Sequence, residues 1–190
     1  MGPNSNPKFP FNSRSFFTEE GRQSINGGLE VWRGYFQSIR PSQGRMYLNL
    51  DITTGIMFKG GPLISLCLEY LNDGDPNRLS PNNLNDRDRI SLQRFLTNLR
   101  VSTDYGGSTR TRAIKHLSHQ GANAIMFTMR QGGPSISVAN YFHNQLNRPL
   151  QYPGLICVEV GCHFEELDIH SNFMTGRDFS QNSPGAVHHS

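Results

Sequence analysis

The chain has 190 residues, 35% of them hydrophobic and 17% charged, with a formal net charge of +3. That length buries one good core or two small ones, and that balance excludes a disordered chain, while 19 Gly and 11 Pro announce many turns. No stretch approaches the ~18 apolar residues of a membrane span and M-G-P-N-S-N-P-K lacks the apolar core of a signal peptide, so a cytoplasmic protein is expected, with the nucleus as the other compartment allowed.

Residues 1–26 are polar, carry Pro3, Pro7 and Pro10, and are expected to be irregular. Apolar residues alternate or cluster over 31–36 and 46–52, which predicts two strands. Gly60-Gly61-Pro62 ends the second, and L-I-S-L-C-L-E-Y-L up to Leu71 predicts a short helix with Pro62 near its first turn. The stretch 72–85, N-D-G-D-P-N-R-L-S-P-N-N-L-N, consists of turn formers and marks a boundary. Beyond it Asp86 or Asp88 can cap a helix through Ile90, Leu92, Phe95, Leu96 and Leu99. V-S-T-D-Y-G-G predicts a strand running into a turn, and T-R-A-I-K-H-L and A-I-M-F-T-M predict two more. Gly132-Gly133-Pro134 breaks the chain before Ser135 or Ser137, either of which can cap a helix over V-A-N-Y-F-H-N-Q-L. L-I-C-V-E-V at 155–160 reads as a buried strand. Pattern alone gives a small α+β fold; the element order suggests a short-stranded β-barrel with an inserted strand–helix module.

Three cysteines, Cys67, Cys157 and Cys162, form no C-x-x-C pair, so neither a disulfide framework nor a zinc site is indicated. Cys67 and Cys157 lie in apolar runs and read as buried small hydrophobes. No G-x-S-x-G, H-E-x-x-H or phosphate-loop motif suggests an enzyme, and no metal or cofactor is expected. The charge is unevenly spread. Residues 99–152 hold Arg100, Arg110, Arg112, Lys115, Arg130 and Arg148 against Asp104 alone, a balance of +5. A surface that follows phosphates needs such a concentration, and the excess of arginine over lysine, fifteen to three, suits bidentate phosphate contact. His116 and His119 flank the same strand and either face solvent or assist a phosphate contact. His188-His189 reads as part of a disordered end.

One segment is too particular for any secondary-structure pattern: G-G-L-E-V-W-R-G-Y-F-Q-S-I-R-P-S-Q-G-R-M-Y-L-N-L-D-I-T-T-G-I-M-F-K-G-G-P-L-I, from Gly27 to Ile64. It resembles the first linker of Argonaute proteins, with R-S-F-F-T at 14–18 as its lead-in. V-A-N-Y-F at 138–142 and L-Q-Y-P-G-L-I-C-V-E-V-G at 150–161 resemble the second half of a PAZ domain, the module that holds the 3′ end of a small guide RNA. The likeness covers about three quarters of the chain. It implies an irregular segment at 1–26, the linker as a strand–strand–helix unit at 27–78, a PAZ domain with an OB-like small barrel at 79–178, and a disordered tail at 179–190.

The resemblance also implies a site. A PAZ pocket encloses the last base and sugar with aromatic rings, bonds the adjacent phosphate through hydroxyl or imidazole groups, and neutralises the backbone with basic residues. Phe127 matches the pocket phenylalanine, Tyr141 the tyrosine that contacts the penultimate phosphate, Arg110 a basic position on the opposite strand, and Leu167 the leucine under the ribose. Arg112 and Leu146 stand where the family has tyrosines; Asp104 or Tyr105 stands at its pocket histidine, with Tyr105 keeping an aromatic donor. Lys115 adds charge beside Arg110 and Arg112. Read from the residues alone, Phe127 is a core side chain and Tyr141 packs its ring with its hydroxyl in water. The implied function is a non-catalytic small-RNA-binding module, with silencing-complex proteins as further partners and no membrane. Two other readings are a piece of a Dicer-like ribonuclease and a degenerate PAZ decoy that no longer binds RNA. After Gly161, Glu165, Glu166 and Asp168 fall where apolar barrel residues are expected, so the last strand is shifted or the tail is foreign.

Overall fold

The computed structural model describes residues 8–105, 108–129, 133–161, 173–174 and 179–180, and the chain divides into two compact units between Lys59 and Gly60.

The first unit is an antiparallel sheet in chain order: β1 (Lys8–Pro10), β2 (Ser15–Ile25), β3 (Leu29–Ser42) and β4 (Arg45–Phe58). Residues 1–26, expected to be irregular, therefore contribute two strands. The pairing of β2 with β3 slips between Thr18 and Gln23, where E-E-G-R is looped out with Gly21 at φ +71°, and this interruption hides the strand from any period-2 pattern. One end of the sheet carries a core of Phe17, Trp32 and Met57, with Phe9 edge to face on Trp32 at 5.4 Å. Phe17 can lie over Gly34 and Gly55 because neither carries a Cβ: one at Gly34 would stand 2.6 Å from its ring and one at Gly55 2.7 Å. Glu30, buried beside them, accepts from Trp32 Nε1 at 3.0 Å and lies 3.7 Å from Arg22. That pairing offsets the cost of a buried carboxylate.

The second unit opens with α1 (Leu63–Leu71), a 3-10 turn (Pro76–Leu79) and α2 (Asp86–Leu96). Leu63 and Cys67 of α1 line one apolar pocket with Leu79, Leu92 of α2, Leu117 and Val158, and Tyr70 stacks on Phe95 at 4.2 Å. Helix α1, assigned from sequence to the linker, thus buries its apolar face within the second unit. The boundary drawn at 78/79 falls inside that unit because Leu79 and Leu84 of the turn-rich stretch are buried. Asn72 ends α1 in the left-handed region at φ 53°, and Asp73 N donates to Leu68 O at 3.0 Å. The cap of α2 is Asn85, not Asp86 or Asp88: its side chain accepts from Asp88 N at 2.8 Å. A cap needs extended backbone one residue ahead of the helix, and Asp86 is already helical. Asp88 still serves the same end, accepting from Asn85 Nδ2 and pairing with Arg78. Leu99, expected on this helix, follows its end and remains buried.

Strands β5 (Arg100–Tyr105), β6 (Ser108–Gly121) and β9 (Ile156–Val160) form the centre of an antiparallel sheet, flanked by β10 (Phe173–Met174) beside β9 and β11 (Phe179–Ser180) beside β5. Between β6 and β9 the chain inserts a hairpin, β7 (Met126–Thr128) with β8 (Ser135–Ser137), and α3 (Val138–Asn144). Strands predominate, with three α-helices among the described residues, and the expected strand–helix insertion is present.

Candidate nucleic-acid interface

Strand β6 is long enough to pair with β5 over its first half and with β9 over its second. Arg110 lies opposite Thr103 and Arg112 opposite Val101, two residues apart and therefore on one face of the strand. Arg110 is exposed; Arg112 is half-buried, and its Nη1 is fully buried without a hydrogen-bond partner among the described residues. A guanidinium nitrogen can only donate, and one left desolvated without an acceptor is costly. Lys115 is the extra residue where the β6–β9 register slips between Ile114 and His116. The bulge leaves its side chain exposed, with its stem against Gly161. A second irregularity is bridged by Ser118, whose Oγ accepts from Cys157 N at 2.8 Å.

The inserted module is tied to the end of β6 through its helix. Val138 N donates to Ile125 O at 3.0 Å and Ala139 N to Ala122 O at 2.9 Å, while Ser137 caps the helix by accepting from Asn140 N at 3.2 Å. Of the two serines suggested by sequence, Ser137, the last residue of β8, is the cap, and Ser135 opens the same strand. Ala122, Val138, Tyr141, Phe142 and Cys157 make a common core, with Phe127, Ile136 and Leu146 packed against it. Tyr141 is 4% exposed and meets Phe127 edge to face at 5.4 Å. Phe127 keeps part of its ring open, and Met126 before it is exposed.

The structure therefore brings Phe127 and Tyr141 together and places Arg110, Arg112 and Lys115 along the strand that leads into their module. Tyr105 ends β5 opposite Ser108. Leu167 lies outside the described residues, as do Cys162 and the His188-His189 pair. Sequence reading did not single out Met126, whose exposure beside Phe127 extends the apolar surface; only its polarizable side chain next to an aromatic offered a signal. Burial pushes the Cys67 and Cys157 thiols from 9.0 up to about 12, so both are protonated and inert at neutral pH. Among the described residues no group of three or more His, Cys, Asp or Glu could hold a metal, and no helix is long and apolar enough to cross a membrane.

Residues 12–59 match the Argonaute linker 1 domain and residues 67–170 match the PAZ domain. The chain belongs to the Argonaute family. Neither matched Argonaute module is catalytic, and together they account for most of these 190 residues. Among curated relatives, an argonaute of Schizosaccharomyces pombe is 35% identical over 159 residues, covering 77% of this chain and 18% of its own length. Argonaute 1D of rice is 34% identical over 155 residues, covering 80% of this chain. This chain spans 14% of that relative's length. Among solved structures, Kluyveromyces polysporus Argonaute with a guide RNA aligns over 99% of this chain and 22% of its own, with TM-score 0.61 and 14% identity. A Drosophila Argonaute PAZ domain, solved in complex with 3′-end 2′-O-methylated RNA, aligns over all of its own length and 66% of this chain, with TM-score 0.52 and 24% identity. These two likenesses establish the fold. The linker match also assigns the chain to Argonautes rather than to a Dicer-like ribonuclease.

Proposed function

We propose that this part of an Argonaute is a non-catalytic RNA-binding module that anchors the single-stranded 3′ end of a small guide RNA, in a silencing complex of the cytoplasm or nucleus. The observation that carries the reading is the half-open Phe127 ring held edge to face against buried Tyr141, in a module that follows a strand bearing Arg110, Arg112 and Lys115. A partly open ring on a rigid support offers a stacking surface that accepts any base, and the basic strand offers charge for the phosphates behind it. In the same reading Tyr105 and Leu167 complete the pocket, and the five-stranded sheet is the wall of an OB-like barrel. The relative solved with a 3′-end-modified RNA supports the substrate class.

The test compares two duplexes of equal charge by fluorescence anisotropy, one blunt and one with two unpaired 3′ nucleotides. A pocket for a strand end favours the overhang; a generic basic surface binds both alike. Failure to bind either duplex would assign the chain to a degenerate PAZ module.

A further inference from the structure

The methionines of the described residues differ in access to solvent. Met57 is 1% exposed in the core of the first unit, whereas Met46 is 73%, Met126 56% and Met129 41% exposed. Two of the open ones bracket the ring that offers a stacking surface. Met126 precedes Phe127 in β7, opposite Ser137 of β8, and Met129 follows just past the end of that strand. Consecutive Cα atoms are about 3.8 Å apart, so the Cα atoms of both methionines lie within about 7.6 Å of that of Phe127, and each flexible thioether has the reach to border its partly open ring. The thiols of Cys67 and Cys157 are buried and protonated, which removes them as competing targets of an oxidant.

We propose that Met126 and Met129 form an oxidation site through which peroxide loosens the module's hold on RNA, an inference that rests on Phe127 being the stacking surface. One peroxide oxygen is transferred to the thioether sulfur, which is oxidised by two electrons to the sulfoxide while hydrogen peroxide is reduced to water. No proton has to leave the sulfur first, unlike at a thiol, so access alone decides which methionine reacts. The product is a polar, chiral group in place of an apolar one. Beside a stacked base that group holds water where the contact was dry, and the favourable approach of sulfur to an aromatic ring is lost. Buried Met57 is shielded from the same reagent, so the chain should lose RNA before it loses its fold. Exposed Met46, in the first unit, is the internal control.

The experiment treats the 190-residue chain with dilute hydrogen peroxide, locates each sulfoxide by peptide mass spectrometry, and measures anisotropy with the overhang duplex before and after treatment. Met46, Met126 and Met129 should oxidise well ahead of Met57, and affinity should fall roughly three- to tenfold. The two methionine sulfoxide reductases, which between them reduce both sulfoxide epimers, should restore it. In Met126→Leu/Met129→Leu, affinity after treatment should equal that variant's own affinity before it, because leucine keeps apolar bulk without an oxidisable sulfur. Met46→Leu should lose as much as the parent. A chain that binds the duplex and keeps its affinity with both sulfurs oxidised, one whose Met126 and Met129 resist peroxide as Met57 does, or a double variant that loses as much as the parent would each overturn this inference and leave the RNA reading standing. An untreated chain that binds no RNA would instead overturn the RNA reading, and this inference with it.

Discussion

Phe127 and Tyr141 meet edge to face with ring centroids 5.4 Å apart and planes at 69°, the geometry in which one ring's positive edge rests on the other's negative face. Phe127 also packs on the module core, so truncation to alanine changes both packing and any stacking with a base. Phe127→Leu keeps the apolar bulk and removes the π-face. It should weaken RNA binding by ~1–3 kcal/mol while thermal unfolding moves little. Unchanged affinity in an anisotropy titration would leave Phe127 as a core residue.

Tyr141→Phe removes only a hydroxyl from a ring that is already buried. If that hydroxyl bonds a phosphate, affinity falls by ~1.5–3 kcal/mol and stability holds. Lost stability with intact RNA affinity would make the hydroxyl a structural group. Measuring both quantities on one preparation separates the two outcomes.

How much of this was legible in the sequence differs element by element. The helices, the central strands and the burial of Cys67 and Cys157 followed from local period and composition. Strand β2 did not, because its register slip at E-E-G-R destroys the alternation on which strand reading depends. The unit boundary was misplaced because a turn-rich composition over 72–85 masked two buried leucines, Leu79 and Leu84. The meeting of Phe127 with Tyr141 has no local signature at all, since a hairpin and a Gly-Gly-Pro break separate them. Only the family resemblance paired them.

The basic strand makes an electrostatic prediction. Arg110→Ala and Lys115→Ala, both at exposed positions, should each reduce the slope of log affinity against log salt by about 0.7 on single-stranded RNA. Arg112→Met should behave differently. Its buried Nη1 has no partner among the described residues, so the change should leave the free chain as stable as before or more so, while still lowering RNA affinity. Slopes untouched by all three changes would place the RNA elsewhere.

Gly34 and Gly55 report on the first unit. A Cβ at Gly34 would stand 2.5 Å from Phe16 O and 2.6 Å from the Phe17 ring, so Gly34→Ala should destabilise that unit by about 1–3 kcal/mol. Trp32, the single tryptophan, sits in the same cluster, and its fluorescence during denaturant unfolding reads this unit directly. A midpoint equal to the parent's would contradict the packing.

The two buried thiols predict a loss of stability in base. Each is raised from 9.0 to about 12 in the folded chain by burial, so between those values the unfolded chain ionises and the folded one does not. Their contribution is therefore intact below about pH 9 and declines as pH rises toward 12, by up to ~1.4 kcal/mol per pH unit per thiol. Cys67→Ala/Cys157→Ala should show a shallower fall in unfolding free energy above pH 9 than the parent. Parallel curves would mean the thiols titrate alike in both states.

Recognition of a free strand end can be read in a single titration. The same duplex with two unpaired 3′ nucleotides is offered with a free terminal hydroxyl or with a bulky group on that hydroxyl, at one fixed salt concentration. A pocket that encloses the terminal ribose loses about tenfold or more in affinity when the end is blocked, because the added group has to be accommodated where the ribose fits. Equal affinity for free and blocked ends would rule out an enclosed terminal ribose and leave only backbone binding by the basic strand.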